Sequence, residues 1–325
     1  MTLLEVRGLS VKYPDGTEAV HNVSFTLREG EILGIIGESG SGKTTLGLAL
    51  TKVLPEGTKF VGKVLYKGEN ILELKGAKLE DFRGKEIGVV FQDTLTAFDP
   101  LMRVGHQITE RSVADRTFTP EKAYLRAIEI MQTLGVTQPK TRMQAYPHEL
   151  SGGLRQRAFI TMSLFLDPKI LVLDEPTTSL DVVAQSQLVS VIKNLKLRGY
   201  AMIFITHDLL LASSFCDSIL IMYASRMMEY GNTKKIIENP AHPYTIGLLA
   251  ATPRISNIKR GLVPMKGYVP DAKNLPKGCV FWPRCRFARD KCKTLEPELN
   301  DVGDGRKSAC HFAMEVRDNI KYNGS

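Results

Sequence analysis

The sequence lacks any long hydrophobic run, and no apolar stretch approaches the roughly eighteen residues that a membrane-spanning helix needs. The first residues, Met1-Thr2-Leu3-Leu4-Glu5, also lack the basic and apolar regions of a secretory signal. Aromatic residues make up only 7%, with a single tryptophan. We therefore expect neither a membrane-spanning nor a secreted protein, but one that stays in the cytosol.

Cysteine is nearly absent from the first four-fifths of the chain, where Cys216 stands alone. The other four cysteines fall in the last fifty residues, namely Cys279, Cys285, Cys292 and Cys310. In a cytosolic protein such clustering favours a metal centre over disulfides. Cys216, between Phe215 and Asp217, is better interpreted as an ordinary buried thiol.

The positive charge of the chain is also unevenly placed. Of the net charge of +8, residues 254–325 carry +7, from 15 basic and 8 acidic residues. A basic tail is typical of attraction to nucleic acid or to a membrane surface. A solvated basic surface, or compensation for a nearby anionic group, explains the same excess. The length of 325 residues allows one large domain and a smaller one.

A phosphate-binding loop is the strongest local signal that is present. It runs Gly37-Glu38-Ser39-Gly40-Ser41-Gly42-Lys43-Thr44-Thr45, after an apolar strand over 31–36 and before a helical pattern over 46–50. This order matches G-x-x-x-x-G-K-[ST] at every fixed position. The glycines let backbone N–H groups point at one anion, Lys43 is predicted to reach the β- and γ-phosphates, and Thr44 to ligate magnesium. A flexible glycine-serine turn is the alternative interpretation.

A carboxylate pair follows a second apolar strand, over 170–173. Asp174 fits a magnesium-holding role, and Glu175 is the candidate general base for an attacking water. Alone, such a pair is as often a helix cap or a surface feature, but beside a phosphate-binding loop the catalytic interpretation is favoured.

Strands alternate with helices along most of the chain, and polar residues follow several strand ends. Thr119 and Pro120 predict a helix start, Gly135 predicts its end, and residues from about 95 to 165 form a mainly helical insertion. The strand over 201–205 ends in Thr206-His207-Asp208. This alternation predicts an α/β fold with a mostly parallel sheet and ligand chemistry at the strand ends.

The segment Leu150-Ser151-Gly152-Gly153, followed by Arg155-Gln156-Arg157, resembles the signature motif of the ATP-binding-cassette (ABC) ATPases. The resemblance implies a P-loop NTPase nucleotide-binding domain with a mostly parallel sheet core, an antiparallel β subdomain and a helical signature subdomain. It also implies that Ser151, Gly152 and Gly153 bind the γ-phosphate of ATP held by an opposite subunit. Many cassettes have glutamine after Ser-Gly-Gly, whereas this chain has Leu154.

The same resemblance assigns roles to four further positions. Tyr13 matches the aromatic residue that stacks on adenine, and Gln92 matches the glutamine that senses the metal and the attacking water. Ser179-Leu180-Asp181 matches the loop that links two active sites across a dimer, and His207 matches the switch histidine that contacts the γ-phosphate. The implied magnesium ligands are Thr44, Gln92 and Asp174.

The C-terminal part resembles the oligopeptide/dipeptide importer branch of this family. The resemblance rests on Asn239-Pro240-Ala241-His242-Pro243-Tyr244-Thr245, on Leu248-Leu249, and on the cysteine tail with Gly278-Cys279 and Arg284-Cys285. It implies a cassette over 1–252, a small irregular cysteine-rich domain over 253–325, and a [4Fe–4S] cluster on Cys279, Cys285, Cys292 and Cys310. Four thiolates suit either zinc or iron–sulfur, but the gaps of five, six and seventeen residues lack the tight pairs of common zinc ribbons.

We therefore expect the ATP-hydrolysing subunit of an importer for peptides or a related oligomer, peripheral to the cytoplasmic face of the membrane. The implied partners are a second cassette, expected to be a paralogue, two transmembrane subunits and, indirectly, an extracellular binding protein. An oligosaccharide importer of the same family, a soluble cassette acting on nucleic acid or ribosomes, and an inactive regulatory cassette are the alternatives. Specific nucleic-acid binding is not expected, because an anionic cluster would account for part of the basic charge.

Overall fold

The computed structural model describes residues 1–91, 97–178, 180–251 and 265–322. The chain divides into two compact units, the first formed by residues 1–73 and 204–325 and the second by residues 74–203. The strands are β1 Thr2–Lys12, β2 Glu18–Arg28, β3 Ile32–Ile36, β4 Lys59–Tyr66, β5 Glu69–Asn70, β6 Ile87–Val90, β7 Ile170–Asp174, β8 Ala201–Thr206, β9 Ser218–Tyr223, β10 Arg226–Asn232, β11 Asn300–Asp301 and β12 Lys307–Ser308.

Helices occur in both units. They are α1 Lys43–Ala49, α2 Gly76–Asp81, α3 Val104–Ala114, α4 Pro120–Thr133, α5 Pro139–Gln144, α6 Gly152–Leu164, α7 Val182–Leu197, α8 Leu209–Ser213, α9 Thr233–Glu238, α10 Pro243–Ala251, α11 Asp290–Thr294 and α12 Ala313–Tyr322. Short 3₁₀ turns lie at Ile71–Glu73, Pro147–Glu149 and Trp282–Arg284, and a π-helical turn at Phe82–Glu86.

The first unit contains an antiparallel sheet with the strand order β2-β1-β4-β5. It also contains the strand order β11-β12-β10-β9-β3, in which β3 pairs with β9 in parallel and β9 pairs with β10 antiparallel. Every residue of β3 and of β9 is buried. Strands that are apolar throughout are typical of a sheet covered on both faces, and β3 leads directly into the phosphate loop, residues 37–45.

The second unit contains β6 and β7, which pair in parallel, and helices α2 to α7. Thr119 caps α4 by accepting a hydrogen bond from the Lys122 N–H, and Pro120 takes the first helical position, as the sequence predicts. β7 is buried at every residue and ends at Asp174. The division between the units passes through β8.

The predicted α/β class, antiparallel β portion and helical portion are all present. The predicted boundary at residue 252 falls at the start of the range 252–264, which lies outside the described residues, so it stays a prediction. Within the described ranges, none of the helices has both the length and the apolar character that crossing a bilayer requires.

Candidate functional site

Two glycines of the phosphate loop lie very close to the backbone of neighbouring segments. A Cβ atom at Gly42 would lie 2.0 Å from the Ala19 carbonyl oxygen, and one at Gly37 would lie 2.2 Å from the Met222 carbonyl oxygen. Gly42 also adopts φ 94°, a left-handed conformation that favours glycine, and caps α1 without a side chain. Both glycines are therefore steric requirements, and the first N–H groups of α1 have no side-chain cap competing for them.

Two hydrogen-bonded pairs lie at the phosphate loop, both within the first unit. The Lys43 side chain is buried, and its Nζ donates to the Glu38 carbonyl oxygen at 3.0 Å. The Tyr13 and Thr45 hydroxyls are hydrogen-bonded at 2.9 Å. Tyr13, the residue predicted to stack on adenine, thus lies at the phosphate loop, and the Lys43 ammonium group contacts the backbone of the same loop.

The exposed part of the loop is formed by the residues that the sequence assigns to phosphate and magnesium contact. Ser39, Gly40 and Thr44 are exposed, whereas Ser41 is fully buried. The Ser41 hydroxyl has no hydrogen-bond partner among the described residues. A buried hydroxyl without a partner is costly, and an oxygen-rich anion in the loop would satisfy it.

In the second unit, β7 places two carboxylates in succession at its end. Asp174 is 5% exposed, and Glu175 is partly exposed and adopts φ 43°, in the left-handed region. The Glu175 carboxylate accepts a hydrogen bond from the Thr178 hydroxyl at 2.9 Å. Strained backbone of this kind is concentrated at functional sites. A fixed carboxylate at a strand end can orient a water molecule and accept its proton.

The signature segment and the predicted linking loop lie together in the second unit. Ser151 caps α6 by accepting from the Leu154 N–H, and Asp181 caps α7 by accepting from the Ala184 N–H at 2.7 Å. Both helix starts line one open cleft of about 690 Å³, together with Gly152 and Gly153. Two helix N-termini facing one cleft favour an anion there.

His207 follows β8 and is exposed, as a residue that contacts a ligand should be. Asp208 caps the following helix α8 by accepting from the Leu211 N–H at 2.9 Å, which fixes the backbone beside His207. Gln92 and Ser179 lie outside the described residues. The roles of His207 and Gln92 stay predictions.

The four clustered cysteines converge in the first unit on one small enclosed cavity. Its lining consists of His242, Pro243, Cys279, Phe281, Trp282, Cys285, Phe287, Cys292, Cys310, His311 and Phe312. Burial raises the pKa of Cys279 to about 11 and of Cys310 to about 12, and it lowers the pKa of His242 to about 3. We call this space the cysteine cavity. Desolvation thus favours the neutral forms of Cys279, Cys310 and His242.

Two observations on the cysteine cavity point in opposite directions about a metal centre. In the part of the chain that the structure describes, no three or more His, Cys, Asp or Glu side chains are arranged to hold a metal ion. The Trp282 indole N–H, however, is buried at the cavity without an acceptor among the described residues. An anion in the cavity would supply the acceptor that the Trp282 N–H lacks. The [4Fe–4S] cluster and its zinc alternative nevertheless stay predictions.

Sequence reasoning missed two residues that contact the phosphate loop. The Tyr244 hydroxyl accepts from the Glu38 N–H at 3.0 Å, and Arg284 forms an ion pair with the Glu38 carboxylate at 3.0 Å. Both residues lie in segments that the sequence analysis singles out, because Tyr244 belongs to 239–245 and Arg284 precedes Cys285. The residues of these segments, however, do not indicate which distant loop each segment contacts.

Comparison with known proteins agrees with this arrangement. The family described as "ABC transporter" matches residues 20–178, and "Oligopeptide/dipeptide transporter, C-terminal region" matches residues 228–292. The chain is 39% identical to the oligopeptide transport ATP-binding protein OppD of Haemophilus influenzae, over 96% of this chain and 98% of that protein. It is 37% identical to the dipeptide transport ATP-binding protein DppD of Escherichia coli, over 97% and 98% respectively.

A solved structure, cbiO1 of Clostridium perfringens, part of the ABC transporter complex cbiONQ, superposes with a TM-score of 0.63 and 26% identity. The match covers 73% of this chain and 91% of that one. These similarities span both the cassette motifs and the cysteine-bearing C-terminal part. The chain therefore belongs to the ATP-binding-cassette transporter ATPases, in the oligopeptide/dipeptide transporter family.

Proposed function

We propose that this ATPase powers the import of peptides through separate transmembrane subunits. The observation that carries the proposal is the similarity to oligopeptide and dipeptide transport ATP-binding proteins over nearly the whole chain, including the C-terminal part. A nucleic-acid or ribosome cassette would share the phosphate loop without sharing this C-terminal family match.

Uptake of labelled peptides tests the cargo. Cells that lack the chain are expected to lose uptake of a labelled oligopeptide and to recover it with the wild-type chain but not with Lys43→Ala. Affinity purification is expected to recover membrane permease subunits. Loss of oligosaccharide uptake alone, or recovery of RNA or DNA instead of permeases, would contradict the proposal.

The proposed nucleotide site uses the phosphate loop to hold ATP. Backbone N–H groups of 37–45 surround the phosphates, and Lys43 exchanges the Glu38 carbonyl oxygen for the β- and γ-phosphate oxygens. The Tyr13 ring stacks on adenine. The signature residues Ser151, Gly152 and Gly153 and the linking-loop residue Asp181 complete the site of an opposite subunit.

Hydrolysis is assigned to the strand-end residues. Glu175 accepts the proton of the attacking water, and Gln92 and His207 position that water and the γ-phosphate. Thr44, Gln92 and Asp174 would hold magnesium, which when bound neutralises charge on the phosphate oxygens. The exposure of Thr44 and the position of Asp174 at the end of β7 support this ligand set.

The proposed assembly contains two cassettes, and we propose that the second is a paralogue of this chain. The cassettes lie on the cytoplasmic face of the membrane, where the surface near Gln92 contacts the transmembrane subunits. An extracellular binding protein delivers the cargo to the other side. Closure of the two cassettes on ATP and their reopening after hydrolysis would drive transport. The domain boundary that we propose remains 252/253.

We also propose that the cysteine cavity holds a [4Fe–4S] cluster. Support comes from the convergence of Cys279, Cys285, Cys292 and Cys310 on one cavity and from the buried Trp282 N–H. The gaps of five, six and seventeen residues, which lack the tight pairs of common zinc ribbons, favour a cluster over zinc. When bound, a cluster would supply an anionic group ligated by four thiolates, which the basic tail would balance.

Iron and acid-labile sulfide analysis of anaerobically purified protein tests the cluster. About four irons and four sulfides per chain are expected, the composition of a [4Fe–4S] cluster. Cys292→Ser should lose both, whereas Cys216→Ser should retain both, because Cys216 lies outside the cavity. Stoichiometric zinc without iron would contradict the cluster.

A further inference from the structure

Glu38 is held at every hydrogen-bonding group it possesses. Its N–H donates to the Tyr244 hydroxyl at 3.0 Å, and its carbonyl oxygen accepts from Lys43 Nζ at 3.0 Å. Both carboxylate oxygens accept from Arg284 Nη1, each at 3.0 Å. One residue of the phosphate loop is thus fixed by α10 on one side and by the cysteine-bearing region, residues 265–322, on the other.

Arg284 is itself held in place. Its side chain is only 6% exposed, its Nε donates to the Lys266 carbonyl oxygen at 3.0 Å, and its guanidinium lies 5.6 Å from the centre of the Tyr223 ring. It ends the 3₁₀ turn Trp282–Arg284, and the next residue, Cys285, lines the cysteine cavity. A guanidinium fixed by packing and a second hydrogen bond loses little entropy when it pairs with a carboxylate.

The charge of Glu38 presents a problem for nucleotide binding. Its carboxylate belongs to the loop that is proposed to surround a triphosphate, and like charges at close range repel strongly where solvent is partly excluded. The Glu38 side chain is 29% exposed, so water screens it only in part. Arg284 supplies the compensating charge.

We propose that Arg284 is a positioning residue for ATP: it neutralises and fixes Glu38, so that nucleotide affinity depends on the cysteine-bearing region. The inference rests on the proposed nucleotide site. It assigns to the cysteine-bearing region a direct effect on the phosphate loop, carried by one ion pair between residues 246 positions apart.

The cysteine-bearing region forms a second ion pair, which contributes less because it is exposed to solvent. Lys273 pairs with Asp15 at 2.9 Å, two residues beyond Tyr13, but the two side chains are 58% and 55% exposed. Exposed pairs are screened and contribute little. Lys273→Gln is therefore expected to leave nucleotide affinity unchanged, although it too removes a contact of the cysteine-bearing region.

The test measures MgATP affinity of the full-length chain by titration with a fluorescent ATP analogue and competition with ATP. Arg284→Gln should raise Kd about tenfold, the order expected for a lost charge-assisted hydrogen-bonded pair. In the assembled transporter at saturating ATP, kcat should stay within about twofold, because the pair affects binding rather than the reacting atoms.

Removing the partner charge should restore affinity. The Glu38→Gln, Arg284→Gln double variant should bind MgATP about as tightly as Glu38→Gln alone and several-fold tighter than Arg284→Gln, because the carboxylate that Arg284 neutralises is gone. Arg286→Gln is the matched control, since it removes an exposed arginine two residues further along the chain and changes the net charge equally. It should not alter Kd.

Two results would overturn the inference: wild-type affinity in Arg284→Gln, or a raised Kd that Glu38→Gln fails to restore. If Arg284→Gln does not fold, Arg284→Lys replaces it. Its Kd should rise about threefold and be restored in the same way by Glu38→Gln, because lysine keeps the positive charge but lacks the planar guanidinium group.

Lys43→Ala separates this inference from the proposed nucleotide site. If it binds ATP normally, the proposed nucleotide site is wrong; if it loses ATP while Arg284→Gln does not, only this inference is wrong.

Discussion

Tyr13 shows how one residue contributes two separable contacts. Its hydroxyl is hydrogen-bonded to Thr45 in the structure, whereas its predicted role in binding belongs to the ring. Tyr13→Ala should weaken MgATP binding about tenfold, since stacking of an aromatic ring on a base contributes about 1–3 kcal/mol. Tyr13→Phe keeps the ring and should bind within about twofold of wild type.

The measurement is the same competition titration, with GTP as a second nucleotide. Because stacking depends little on base identity, Tyr13→Ala should weaken both nucleotides to a similar extent. A large loss in Tyr13→Phe would show instead that the hydroxyl, through Thr45, determines affinity.

Glu175 is the second residue-scale case. Glu175→Gln should lower ATP hydrolysis about 100- to 1000-fold, because a general base is worth that order in rate, while ATP binding and ATP-induced association with a partner cassette persist. Steady-state phosphate release and sedimentation of the assembled cassettes measure the two effects. Glu129→Gln, an exposed glutamate on α4, is the control and should retain full activity. Full activity in Glu175→Gln would refute its assigned role.

At the scale of elements, local signals were sufficient for much of the fold. Thr119 and Pro120 predict the start of α4, and the Thr119 side chain accepts the expected backbone hydrogen bond from Lys122. Fully apolar runs predict β3 and β7. These elements could be predicted because capping and periodicity are properties of neighbouring residues.

The junction of β10 with α10 could not be predicted, because its stability depends on burial. Glu229 is fully buried in β10, where its carboxylate accepts from the Ala241 N–H and the Thr245 hydroxyl. Desolvation raises the pKa of Glu229 to about 7. A glutamate within a strand pattern gives no local indication that it will be enclosed or that it will accept these hydrogen bonds.

The buried carboxyl predicts a pH-dependent stability difference. Because the pKa of Glu229 is higher in the folded protein than in the unfolded chain, the folded state binds the extra proton and becomes less stable as pH rises from about 4.5 to about 7. Glu229→Gln cannot ionise at this position. The unfolding free energy of Glu229→Gln minus that of the wild type should therefore increase across this pH range, by up to ~3 kcal/mol. Urea unfolding at pH 5 and pH 8 measures the difference, and an equal difference at both values would contradict it.

At the scale of the whole molecule, the sequence predicts which segments belong to the proposed site but not which distant residues each segment contacts. The phosphate loop, the carboxylates after β7 and the signature segment were each identified from their own residues. The contact between Arg284 and Glu38 was not, because a side chain's partner 246 positions away is determined by the fold and not by spacing. The tail's positive charge illustrates the point: one of its arginines is nearly buried and bound to the phosphate loop.

The proposed pairing of two different cassettes makes a prediction about the complete assembly. Each composite site needs the phosphate loop of one subunit and the signature of the other. If this chain paired with itself, mixing Lys43→Ala with Gly153→Asp would create dimers with one intact site, and about one quarter of the wild-type sites would return, because half of the dimers are mixed and each carries one site of two.

Since we propose a paralogue as the partner, mixing these two variants of the isolated chain should restore no ATP hydrolysis above that of either variant alone. The assembled transporter should behave differently: Lys43→Ala disables the site that uses this chain's phosphate loop, and Gly153→Asp disables the other one. Phosphate release by the mixed variants and by each assembled transporter measures these outcomes. Recovery of about one quarter of the activity in the mixture would identify a second copy of this chain as a competent partner and would exclude an obligatory paralogue.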